Sequence, residues 1–219
     1  METENITTNQ GLDKEELKAF YKQGLPQFVK TLFLDPINGT YALFLNRTDK
    51  TYVHSLVLIV STGLVFVILP YIMMGGVLRE IIGFSAMLKV GITVAVFMGL
   101  ISAAAFGIKT LLGKADFRNE LLTGGLCGIP LTALLLTLFV ARLFTDEEAV
   151  ASVMDNPMMI LERAGFLLLI GFYFLLLLIN IVQQSLRAGR LRESLSWYLS
   201  PLSIIGAGYV TFKIVISFF

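Results

Sequence analysis

Five stretches of this chain run for 19 residues or more without a charged side chain, and short segments rich in Lys and Arg separate them. They cover residues 55–78, 90–108, 121–141, 164–186 and 194–212. At about 1.5 Å of rise per residue, each is long enough to cross a hydrocarbon layer of about 30 Å as a helix. Backbone N–H and C=O groups at that depth have no water to pair with, so a spanning segment must satisfy them internally. The sequence therefore predicts an all-α polytopic membrane protein, a bundle of five transmembrane helices preceded by amphipathic interfacial helices. The spans fall at about 55–78, 90–108, 121–141, 164–186 and 194–216. A tail at 1–11 is expected to be disordered, an interfacial region covers 12–50, and the transmembrane domain covers 51–219.

Composition agrees with a lipid environment. Hydrophobic residues make up 56% of the chain and charged residues 15%, and the mean hydropathy is +0.78. The run at 166–179, FLLLIGFYFLLLLI, is apolar on every helical face, unlike a surface helix of a soluble core. A net charge of +1 gives no general attraction to nucleic acid, and none is expected as a partner. Cys127 is the lone cysteine, which excludes an intrachain disulfide and a Cys-rich metal site. The first 50 residues are polar or amphipathic rather than an apolar leader, so the first span is expected to direct insertion.

Orientation follows from the placement of positive charge, which concentrates on the cytoplasmic side. Twelve of the Lys and Arg residues fall on the side of the N-terminus and five on the other. The loop between spans three and four is acidic, with Asp146, Glu147, Glu148, Asp155 and Glu162. The expected arrangement is a cytoplasmic N-terminus and a periplasmic or luminal C-terminus, most simply in a bacterial inner membrane. The Asn-x-Ser/Thr sequons at Asn5, Asn38 and Asn46 then lie on the cytoplasmic side and should carry no glycan.

Before span one, Leu17, Phe20, Tyr21, Gly24, Leu25, Phe28, Val29, Leu32 and Phe33 follow helical spacing, with Lys18, Lys22 and Lys30 between them. Such a stripe suits a helix lying at the headgroup level with its lysines toward anionic lipid, packed on the ends of the spans. Gly24 and Pro26 should divide it, and Asp35-Pro36 should end it. Within the bundle, Gly91, Ala95, Gly99, Ala103 and Gly107 recur every fourth residue along span two. This helix-packing ladder is expected to admit close neighbours or a second copy of the chain. Gly124 and Gly128 in span three add to it, and Leu-rich span four is expected to face lipid.

Little in the sequence points to catalysis. His54 is the sole histidine, Lys213 the one ionisable residue placed inside a span, and Asn180, Gln183 and Gln184 cluster at one end of span four. No metalloprotease, nucleophile-elbow or phosphate-loop motif is present. The expectation is no catalytic residue, no cofactor and no metal, with membrane lipids as the partners and a homo-oligomer or other membrane proteins in addition.

The amphipathic segment with Leu34-Asp35-Pro36, followed by five closely spaced spans, resembles the YIP (Ypt/Rab-interacting) family of membrane proteins, in particular its prokaryotic members. The resemblance covers about residues 26–219. The Asp-Leu-Tyr-Gly-Pro element of eukaryotic members does not precede span one, so GTPase binding is not implied. The resemblance implies a non-enzymatic scaffold or membrane-organising protein. A membrane subunit of a multi-component transporter and a lipid-handling protein are the alternatives.

Overall fold

Backbone that leaves water must pair within its own segment, and among the described residues the chain is helical throughout, with only short connections. The computed structural model describes residues 14–48, 51–74, 76–111, 113, 115–143 and 158–218. The tail expected at 1–11, Asn5 and the acidic residues at 146–155 lie outside them. In chain order the elements are α1 (Lys14–Ala19), a π-helical turn (Phe20–Gly24), α2 (Leu25–Leu34), α3 (Asn38–Leu45), α4 (Thr51–Met73), α5 (Gly76–Thr110), α6 (Phe117–Leu143), α7 (Met158–Ala188) and α8 (Glu193–Phe218). Five of these helices are long and apolar enough to cross a membrane. This is an integral membrane protein built as an all-α bundle.

Local chemistry sets the helix ends. Thr51 opens α4 with its Oγ1 accepting the Thr48 N–H at 2.9 Å. The apolar run at 55–78 overreaches this helix, which stops at Met73, before the Gly75-Gly76 pair. In α5 the helical path breaks at Gly83, whose φ of 66° and ψ of 158° suit a residue without a Cβ. The spanning part therefore starts at Gly83, seven residues before the charge-free run. Asp116 caps α6, its Oδ1 accepting the Arg118 N–H at 3.1 Å. The pre-membrane helix is not cut at Gly24 and Pro26 but runs through a π turn into α2 with helical backbone angles at Gly24 and Leu25, the proline falling in the first turn of α2.

Helix α6 is the centre of the bundle. Residues 120–130 are buried without exception, and α4, α5 and α7 pack around them. The approach is close enough to require glycine. A Cβ at Gly124 would lie 2.2 Å from the Met98 carbonyl oxygen of α5 and one at Gly128 2.3 Å from Thr62 Oγ1 of α4, while one at Gly125 would be less tightly held, 3.0 Å from the Ser55 carbonyl oxygen. At the other contact of α4 with α5, a Cβ at Gly91 would lie 2.3 Å from Val67 and 2.6 Å from the Gly63 carbonyl oxygen.

The ladder expected along span two is used only in part. Gly91 and Ala95 face Gly63 of α4, but a Cβ at Gly99 or Gly107 would meet nothing within 4 Å, and Ala103 is exposed. A four-residue step advances about 400° around a helix of 3.6 residues per turn, so each rung drifts by about 40°. Over five rungs the stripe rotates by roughly 160° and leaves its partner. Span four also departs from expectation. Phe166, Leu169, Phe172 and Leu176 are exposed as a lipid-facing surface should be, yet Leu178, Ile181, Val182 and Leu186 belong to the core. The half of α7 nearer its C-terminus is an interior element.

Candidate functional site: a buried charge cluster and the cleft beside it

The C-terminal end of α5, the first turn of α6 and the last turns of α7 meet at the end of the bundle that carries the N-terminal segment. There Glu120 is 3% exposed and both of its carboxylate oxygens are engaged. Oε1 accepts from Arg47 Nη1 at 3.0 Å, and Oε2 accepts from Lys109 Nζ at 2.5 Å. Lys109, itself 6% exposed, donates a second hydrogen bond to Ser185 Oγ at 2.9 Å. The Ser185 hydroxyl also lies 3.3 Å from Glu120 Oε2 as a donor, which leaves Thr123 Oγ1, 2.7 Å away, to donate to Ser185. Three helices and the connection after α3 thus converge on one carboxylate. Burying two opposite charges costs several kcal/mol per ion, and only complete pairing of this kind offsets it.

The stem of Lys109 reaches Glu120 by crossing Gly189, where a Cβ would sit 2.8 Å from Lys109 Cε. Immediately after it, Arg190 has a φ of 67°, the only non-glycine residue with positive φ among the described residues. It terminates α7 in a Schellman arrangement. The Arg190 N–H reaches the Arg187 carbonyl at 2.9 Å, and the Leu191 N–H reaches the Leu186 carbonyl at 3.2 Å. Leu186 and Leu191 are both buried, as the hydrophobic contact of this motif requires. Glycine is the usual residue in this place, and a side chain here costs roughly 1–2 kcal/mol.

Beside the cluster opens a cleft of about 560 Å³, lined among others by Arg47, Lys109, Arg190, Asp116, Glu120 and Phe44. Among the described residues it holds three cationic side chains against two carboxylates. The carboxylate of Asp116 is engaged in capping α6 and in a 3.3 Å contact from Asn119 Nδ2. The Arg47 guanidinium lies 5.1 Å from the Phe44 ring centroid, and its buried Nε has no acceptor among the described residues. Chemically, the cleft offers fixed positive charge to an anion.

The residues singled out in the sequence lie apart from it. His54 stacks on Phe20 with ring centroids 4.5 Å apart. Lys213 Nζ lies 5.7 Å from the Tyr209 ring centroid near the far end of α8, and Cys127 is fully enclosed within α6. Among the described residues no group of three or more His, Cys, Asp or Glu side chains is placed to hold a metal. Asp116 and Glu120 do share the cleft, each already committed to other partners. The sequence marks Asp116 and Glu120 as carboxylates that could converge, but not Lys109, which lies just outside a charge-free run and reads as its boundary. Opposite charges flanking one short inter-helix connection were the signal available.

Asn180 and Gln184 tie the pre-membrane segment down. The Asn180 amide donates to the Pro36 carbonyl, Gln184 Nε2 donates to Asn180 Oδ1 at 3.0 Å, and Arg187 Nη1 donates to Gln184 Oε1 at 3.0 Å. The Arg187 guanidinium then sits 5.4 Å from the Tyr41 ring centroid. At the other end of the segment, the Tyr21 and Ser61 hydroxyls are hydrogen-bonded.

Comparison with known proteins finds no matching family model, no matching curated relative and no matching solved structure.

Proposed function

We propose that this chain is a non-enzymatic membrane organiser of the kind the YIP-like layout implies. In this reading the five-helix bundle holds an amphipathic platform at the cytoplasmic face, and partner proteins or lipids assemble on it. The observation that carries the reading is the way the pre-membrane segment is fixed. It is bonded to α4 through Tyr21 and Ser61, to α7 through Asn180, and to α6 through Arg47 and Glu120. Lys18, Lys22 and Lys30 remain exposed along it. Polar side chains buried in the bundle act as ties between helices, which suits a rigid support. Solubilisation of the full chain in mild detergent, after cross-linking in the membrane, followed by mass spectrometry tests this. Recurrent membrane partners that are lost in a Tyr21→Phe, Asn180→Ala variant support the platform. Recovery of a stoichiometric ATPase instead would assign the chain to a transporter.

A further inference from the structure

We propose that the cleft between α3, α5, α6 and α7 binds the phosphate group of an anionic phospholipid, with Arg190 as the principal contact. This requires only that this end of the bundle meet the membrane surface, and it stands whether or not the platform reading holds. The first support is Arg190 itself. The position demands a left-handed backbone that glycine supplies freely, and the chain instead places a long cation there, on the wall of a cleft. Strain retained at such a place marks a residue held for its side chain. Among the described residues no hydrogen bond or ion pair engages the Arg190 guanidinium, whereas Lys109 and Arg47 are already bonded to Glu120.

Field and shape agree. Behind Arg190 stand Arg47 and Lys109, and with it they outnumber the Asp116 and Glu120 carboxylates among the described residues of the lining. An arginine fork matches phosphate oxygens in geometry as well as charge. The surroundings choose between a lipid and a free ion. Leu111 is 88% exposed on the connection that supplies Gly113 and Ala115 to the cleft, and Phe117 beside it is 43% exposed. Large apolar side chains bared next to a cationic cleft, at the end of spanning helices, suit acyl chains below a headgroup. A soluble phosphate would leave them in water.

Arg190→Gly separates binding from folding, because it removes the cation while relieving the backbone. The full-length chain in mild detergent would be exchanged into phosphatidylglycerol or phosphatidylcholine and bound lipid read by native mass spectrometry. Wild type should retain phosphatidylglycerol over phosphatidylcholine. Arg190→Gly should retain about tenfold less, as expected for loss of a charged hydrogen bond, with thermal stability equal to or above wild type. Arg192→Gln removes an exposed charge outside the cleft and should change nothing. If inorganic phosphate alone raises the melting temperature of wild type but not of Arg190→Gly, and phosphatidylglycerol is not retained, the phospholipid assignment falls and the cleft is one for free phosphate. Equal lipid retention by wild type and Arg190→Gly, or equal losses in Arg190→Gly and Arg192→Gln, would overturn the proposal altogether.

Discussion

Glu120 shows how one residue can govern the energetics of a helix junction. Its two oxygens bond Lys109 and Arg47, one negative charge shared between two cations, so the cost of removal depends on which partner goes. Glu120→Gln leaves two cations facing a neutral amide in a buried site. Breaking a buried pair from one side typically costs about 3–5 kcal/mol, and this variant should fall in that range. Lys109→Met keeps Glu120 matched to Arg47 and replaces a buried stem with one of similar volume, so it should cost less. Thermal or denaturant unfolding in detergent ranks the two. A larger loss for Lys109→Met would mean that Arg47 does not compensate. In the double variant Lys109→Met, Glu120→Gln, the losses should not add, because the members of one network are coupled.

Close packing of helices concentrates at α6, and substitutions should reveal it. A methyl group at Gly124 would meet a carbonyl oxygen that cannot move without shifting α5. Gly124→Ala should therefore cost about 1–3 kcal/mol as overpacking. Gly99→Ala meets open space and should be neutral or slightly stabilising, since alanine is the better helix former by about 1 kcal/mol. Unfolding midpoints that placed Gly99→Ala below Gly124→Ala would put the bundle axis on the wrong helix. The spans themselves were legible in the sequence, because a run without charge is a direct consequence of the hydrocarbon layer. Their mutual arrangement was not. Gly91 and Gly99 have the same residue type and the same spacing, yet only Gly91 meets a neighbour, because the rotation between rungs depends on where the partner helix crosses. The candidate site was partly hidden for a related reason. Lys109 reads as the end of an apolar run, and only the turn between α5 and α6 brings it to 2.5 Å from Glu120. Arg190 could not be recognised at all, since its backbone angle leaves no trace in the residue type.

For the molecule as a whole, charge distribution and span number together make a topological statement. With twelve basic residues on the side of the N-terminus and five on the other, a reporter fused to the N-terminus should read out from the cytoplasm and one at the C-terminus from the opposite compartment. Both reporters on one side would mean that one of the five helices does not cross. The tie between Asn180 and Pro36 adds a constraint of another sort, because 144 positions separate the two residues. The charge pair of Lys109 and Glu120, 11 positions apart, can close as soon as the third span emerges from the ribosome. The pre-membrane segment emerges first of all, yet its α7 anchor is made only near the end of synthesis. Until then it has only its earlier ties, Tyr21 on Ser61 of α4 and Arg47 on Glu120 of α6. The first part made is thus fastened in stages, and its last anchor closes near the end of synthesis.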